Sequence, residues 1–69
     1  MHLATVDGQL LDLARSLTDR ATSLRSQAEQ LPPVLADTYR RRASELELEA
    51  FIAEVQSGIA YDQIHRPVA

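Results

Sequence analysis

Apolar residues recur every three or four positions through the first half of the chain, from Leu3 to Leu31. This is the period of an amphipathic helix, because a strand would alternate at every second residue. Polar and charged residues fill the positions between and form the opposite face. The pattern predicts a helix over about residues 5–31. Its apolar stripe comprises Leu3, Val6, Leu10, Leu13, Leu17, Ala21, Leu24, Ala28 and Leu31, with Leu11 and Ala14 beside it.

Pro32 and Pro33 interrupt this pattern near the middle of the chain. A residue that precedes proline is disfavoured in the helical region, and this restriction acts on both Leu31 and Pro32. Proline is well tolerated at the first position of a helix, so Pro33 can begin a new one. We therefore expect a tight turn over residues 31–33 between two antiparallel helices that pack together.

The second half of the chain predicts a helix over about residues 33–57 with two apolar stripes. The first stripe comprises Leu35, Tyr39, Ala43, Leu46, Ala50 and Ala53. The second stripe, which we expect to lie next to the first, comprises Leu48, Phe51, Ile52, Val55 and Ile59. Together they cover a wider arc than one partner helix can bury.

Gly58 is predicted to end the second helix, since glycine is common just past the last helical turn. Residues 58–69 then form a C-terminal segment with room for a short third helix or a helical extension. The predicted fold is therefore a single all-α domain, an antiparallel helical hairpin with a short C-terminal helix or extension.

Charges along the two predicted helices are consistent with a hairpin. If the chain reverses at the proline pair, residues whose numbers add up to roughly 64 lie opposite each other, because both helices rise equally per residue. Glu29 then lies near Arg40–Arg42, and Arg15 and Arg20 lie near the glutamates of residues 45–49. Opposite charges meet, which supports the antiparallel arrangement.

The overall composition disfavours several classes of protein. The formal net charge is −3, which opposes general binding to nucleic acid or anionic lipid, and there is no cysteine for a disulfide or a thiolate metal site. No apolar run approaches the roughly 18–20 residues needed to cross a bilayer, and the N-terminus lacks the pattern of a signal peptide. We expect a soluble, cytoplasmic protein.

Catalytic and metal-binding chemistry finds little basis in the sequence. A nucleophilic site needs a base beside its nucleophile, but the only histidines, His2 and His65, lie near the two ends of the chain. No closely spaced set of histidine and acidic ligands is present to hold a metal ion. We therefore predict a non-enzymatic protein with no cofactor, metal or small-molecule substrate.

Arg40, Arg41 and Arg42 form the most basic stretch of the chain. Its structural interpretation is pairing with Asp37 and Glu45 along the same helix. The alternative is a nucleic-acid contact in which Tyr39 supplies a stacking ring beside the arginines. The acidic residues that follow would repel a phosphate backbone on that face, so the structural role is favoured. A small nucleic-acid-binding or transcription-linked regulator remains the alternative function.

The favoured hypothesis is a self-associating interaction module. Two helices of this length bury one stripe each, and apolar stripes that remain exposed mark partner sites. We expect the second stripe to bind a partner protein, a second copy of the chain, or both, with a homodimer favoured over coverage by the C-terminal segment. Two copies would then pair into a four-helix bundle.

Overall fold

The computed structural model describes the backbone of residues 5–64 and the side chains of residues 8–59. This part of the chain contains two helices and no strand: α1 spans Thr5–Ala28 and α2 spans Pro33–Ile64. The two helices pack against each other along their lengths, which confirms the predicted all-helical hairpin. The molecule measures 58 × 24 × 10 Å, so it is one helix thick.

The turn between the helices begins earlier than predicted. α1 ends at Ala28 rather than near Leu31, and the backbone then tightens through hydrogen bonds from the amides of residues 29–31 to the carbonyls three residues before each. Such bonds satisfy carbonyls at a helix end that have no partner within the helix. The carbonyl of Pro32 accepts a 2.8 Å bond from the Ala36 amide, and α2 begins at Pro33 as predicted. The α-helix is therefore interrupted over the three residues before the proline pair, residues 29–31.

Small side chains line the contact between the helices. Every alanine of residues 8–59 is at most 3% exposed. The seam, meaning the positions that face the other helix, repeats every seven residues with alternate steps of three and four, as in a coiled coil. In α1 it comprises Leu10, Ala14, Leu17, Ala21, Leu24, Ala28 and, in the turn beyond, Leu31. In α2 it comprises Ala36, Tyr39, Ala43, Leu46, Ala50, Ala53 and Ser57.

Two leucines expected in the packed stripes are instead exposed. Leu13 is 49% exposed and Leu35 is 48% exposed, while the alanine that follows each, Ala14 and Ala36, is buried. Within residues 10–31 and 35–57, replacing each leucine by that alanine gives the regular seven-residue repeat, whereas the predicted stripes contained two consecutive steps of four there. The periodicity of the helix pair therefore prevailed over the greater hydrophobicity of leucine. The expected stripe positions Leu3 and Val6 lie outside the described side chains.

Gly58 does not end α2, contrary to the prediction. The helix continues to Ile64, and no residue of residues 5–64 has the positive φ angle that a glycine at a helix end commonly adopts. The alternative of a helical extension is confirmed over residues 58–64. The tendency of Gly58 to end a helix was smaller than the stability of the helical residues on both sides of it.

Arg25 connects the two helices and defines their register. It contacts Glu47, whereas the predicted cross-helix partners of the glutamates were Arg15 and Arg20. The numbers of Arg25 and Glu47 add up to 72 and those of Arg25 and Ser44 to 69, compared with the predicted value of roughly 64. Residues of α1 therefore face residues further along α2 than predicted. Leucines and alanines of both helices, for example Leu17 and Ala50, form one buried cluster.

Candidate interaction surface

The second stripe lies on the solvent side of α2. Its five side chains are between 44% and 60% exposed, and Leu48 and Phe51 are the most exposed of them. They occupy about three turns of α2, from residue 48 to residue 59. Large apolar side chains gathered on one exposed surface are typical of a protein-binding site.

The second stripe lies opposite the seam rather than next to it. Leu46 is 1% exposed and Leu48 is 60% exposed, although only one residue separates them. Two positions correspond to about 200° of rotation around a helix, so a residue two places after a seam position points away from α1. The prediction that the two stripes are neighbours was therefore wrong. α2 presents one apolar surface to α1 and another to the far side.

Two leucines of α1 flank the seam near the same end of the hairpin. Leu11 is 47% exposed and lines a shallow groove on one flat face of the hairpin, together with Thr18 and Glu54. Ala14 was expected to remain uncovered beside Leu11, but it is buried in the seam, and the other leucine, Leu13, is 49% exposed instead. The exposed apolar surface of α1 is thus larger than predicted.

The three consecutive arginines point in three directions and do not form one surface. Successive residues of a helix differ by about 100°, so Arg40 lies beside the seam on one flat face, Arg41 on the outer side and Arg42 on the other face. The expected pairing of Arg40 with Asp37 is present at 3.7 Å. Arg42 lies 3.0 Å from Glu45, which was expected to pair with Arg41.

Arg42 also lies 3.9 Å from Glu49, so two acidic side chains offset its charge. Tyr39, the proposed stacking ring, is half-buried at the seam. Within residues 8–59, Arg41 forms no ion pair and is the remaining cation of the three. A nucleic-acid contact would have to rely on one arginine of this stretch, and the arrangement gives that alternative little support.

Arg25 and Glu47 form the strongest polar contact between the helices, which the sequence did not predict. The Nε and one terminal nitrogen of Arg25 donate to the two carboxylate oxygens of Glu47 at 2.9 and 2.8 Å, and the same terminal nitrogen donates to Ser44 Oγ at 3.0 Å. This two-pronged geometry suits the planar guanidinium and carboxylate groups. The only signal in the sequence was an arginine and a glutamate in facing helices, which several other pairs also satisfied.

The contact shifts the pKa of both partners. The hydrogen bond to Glu47 raises the pKa of the Arg25 guanidinium, and the hydrogen bond from Arg25 lowers the pKa of the Glu47 carboxyl group. Partial removal from water opposes each shift, and the charge of the partner favours it. Both groups lie at the surface, so the pair defines register more than it contributes stability.

A second shallow groove lies on the other flat face of the hairpin, with a volume of about 370 Å³. Arg20, Ser23 and Arg42 contribute its polar lining, and Leu24 and Leu46 form its floor. Arg42 is already paired with Glu45 and Glu49, so the groove does not present two free cations to an anion.

Other kinds of site find no support in the described part of the chain. Residues 8–59 hold no cluster of three or more histidine, cysteine or acidic side chains that could bind a metal ion. His2 and His65 lie outside the described residues. Neither α1 nor α2 contains a stretch long and apolar enough to cross a bilayer.

The chain was compared with protein-family models, with curated protein sequences and with solved structures. None of the three comparisons finds a match.

Proposed function

We propose that this chain is a non-enzymatic protein–protein interaction module. It is a helical hairpin that self-associates and docks on a partner protein through the second stripe, with Leu48, Phe51, Ile52, Val55 and Ile59 as the anchors. The observation that carries the proposal is the exposure of these large side chains, while alanines fill the seam. Large apolar and aromatic residues are the usual energetic centre of protein interfaces.

The small seam explains why a hairpin of this size needs a further contact. Burial of an alanine removes little apolar surface from water, and seven of the buried residues in residues 8–59 are alanines. The hairpin therefore gains less from its own packing than a pair of leucine-rich helices would. Covering the second stripe adds the burial of five larger side chains and stabilises the folded chain by mass action.

The course of α2 argues against coverage of the second stripe from within the chain over residues 58–64. These residues continue the same helix, so they extend past the stripe and do not fold back on it. A second molecule is then the natural means of covering it. Two copies, with two helices each, form a four-helix assembly.

The test compares the wild-type chain with Phe51→Asp and Ile52→Asp. Each variant places a charge at the centre of the second stripe, where burial without a partner is costly. We expect the wild type to associate at micromolar concentration, and both variants to sediment as monomers while keeping a helical circular-dichroism spectrum. Thr22→Asp, on the exposed outer side of α1, is the matched control and should leave the mass unchanged.

The same three variants test docking on a partner. Used as bait, the wild type and Thr22→Asp should retain the same cellular protein, and the two stripe variants should lose it. A well-folded wild-type monomer would contradict self-association. Unchanged mass in both stripe variants would show that another surface carries it.

A further inference from the structure

The second stripe has the spacing of another coiled-coil seam. Leu48, Ile52, Val55 and Ile59 are separated by steps of four, three and four, which is the seven-residue repeat of the first seam moved to the opposite side of α2. Phe51 flanks this line. The order of the steps is the same in both chain directions, so a reversed copy of α2 presents matching spacing.

We propose that two copies pair through α2 in antiparallel orientation along the second stripe, so that the four helices lie side by side in the order α1–α2–α2–α1. This inference rests on the proposed self-association and specifies its geometry. Ile52 meets Val55 of the second copy, and Leu48 meets Ile59 of the second copy. A two-fold axis passes between residues 53 and 54, which brings the two Phe51 rings close together.

The helix dipoles favour the antiparallel direction of pairing, because the dipoles of the two α2 helices then point in opposite directions. Charged residues continue the line of the second stripe, since Arg41 and Glu45 are the next two positions toward the start of α2 at the same spacing, and both are exposed. A parallel pair would place each of them against the identical charge of the second copy. An antiparallel pair would place Glu45 level with position 62, which is also acidic, so these charges do not distinguish the two directions.

The area of the second stripe suits a second copy. Its five side chains are about half exposed, and apolar side chains of this size give roughly 500 Å² of accessible surface per copy. A symmetric pair then buries about 1,000 Å², which is near the lower limit for a specific interface. The stripe therefore forms an interface only if nearly all of it is covered, as the self-matching spacing allows.

The position of the second stripe also determines the shape of the assembly. Because the stripe lies opposite the seam, α1 of each copy remains at an outer edge and does not contact the second copy. The product is a ribbon one helix thick. In a compact four-helix bundle, each helix contacts two neighbouring helices that lie about 90° apart around its axis. Such a bundle would require the two apolar surfaces of α2 to be adjacent.

Distances between spin labels test the arrangement, because the chain has no cysteine of its own. Arg41→Cys places one label per copy on the outer side of α2, and Ser16→Cys places one on the outer side of α1. Pulsed dipolar spectroscopy should give about 35–40 Å for the pair at residue 41, since 25 residues of helix rise lie between them. The pair at residue 16 should give about 40 Å, because three helix spacings of about 8–10 Å separate the axes of the two α1 helices and each label lies at least about 5–6 Å outside its own axis.

Each result decides between defined alternatives, provided that sedimentation is measured on the same labelled samples. A dimer with less than about 20 Å at residue 41 would overturn the antiparallel orientation. A dimer with less than about 30 Å at residue 16 would overturn the ribbon in favour of a compact bundle. In both cases the proposed self-association would stand. A monomer for the unlabelled wild type would overturn self-association and the arrangement together.

Discussion

The distribution of alanine determines which residues hold this hairpin together. Leucine is the more hydrophobic residue, yet Leu13 and Leu35 lie outside the seam and the alanines that follow them lie within it. A buried alanine lets the two backbones approach closely, and the leucines of the facing helix then fill the remaining space. Burial at each position is thus set by the seven-residue repeat.

Leu17 and Leu13 provide a direct test of this assignment. Leu17 is 6% exposed and Leu13 is 49% exposed, although both belong to α1 and differ by one helical turn. Leu17→Ala should lower the free energy of unfolding by about 2–5 kcal/mol, because it leaves a cavity in the seam. Leu13→Ala should lower it by less than about 1 kcal/mol.

Urea unfolding followed by circular dichroism at 222 nm measures both variants. If Leu17→Ala is too unstable to fold, it will lose its helical signal even without urea. That result would also support burial of Leu17 in the seam. Equal costs for the two variants would show that Leu13 also packs between the helices.

The ion pair of Arg25 and Glu47 makes stability depend on pH in a predictable direction. The pKa of Glu47 is lowered in the folded chain, so its contribution is present above the ordinary carboxyl pKa and is lost as the pH falls through the folded value. The pKa of Arg25 is raised, so this residue remains charged throughout. We expect Glu47→Gln to lower the urea midpoint at about pH 7, and the difference from wild type to shrink as the pH falls toward about 3.

Glu54→Gln is the control for this measurement, because Glu54 lies on the same flat face and makes no ion pair among the described residues. Its effect on the urea midpoint at neutral pH should be smaller than that of Glu47→Gln. An effect of Glu47→Gln that is the same at both pH values would mean that the carboxyl charge does not act through Arg25.

At the scale of the elements, the sequence predicted the helices better than it predicted their ends. The proline pair and the helical periodicity were sufficient for two helices and a turn, because both signals act locally. The ends of the helices depended on whether the residues next to each end favoured a helix or a turn. α1 stopped three residues early because the tightened turn before Pro32 extended back to Ala28, and α2 passed through Gly58 because residues 59–64 continue the helix.

Gly58→Ala tests whether this glycine is part of the helix. Its backbone has no positive φ, and an added Cβ would meet no atom within 4 Å. Alanine loses less conformational entropy than glycine on forming a helix, so the substitution should raise the free energy of unfolding by about 0.5–1 kcal/mol.

Urea unfolding at a concentration below that of association isolates this effect from the proposed pairing. Gly8→Ala, close to the start of α1 where the helix end contributes less, should give a smaller increase. A decrease for Gly58→Ala would indicate that the glycine interrupts α2, as the sequence alone suggested.

At the scale of the whole molecule, both the second stripe and its direction could be predicted from the sequence. The sequence contains a surplus of apolar residues after Leu46, and all five predicted members of the stripe are exposed. Their placement opposite the seam follows from the roughly 200° of helix rotation between Leu46 and Leu48, because Leu46 already belonged to the predicted first stripe. The expectation of two neighbouring stripes was therefore an error of helix geometry, and the sequence held the information to avoid it.

The repetition of alanine has a consequence for how the hairpin keeps a single alignment. Ala14, Ala21 and Ala28 are seven residues apart, and so are Ala36, Ala43 and Ala50. Sliding one helix past the other by seven residues would again place small side chains against large ones, so the seam alone leaves the alignment degenerate. The short turn before Pro33 and the hydrogen bonds of Arg25 to Glu47 favour one of these alignments over the others. In this molecule, packing of the seam holds the helices together, while the turn and one surface ion pair determine their register.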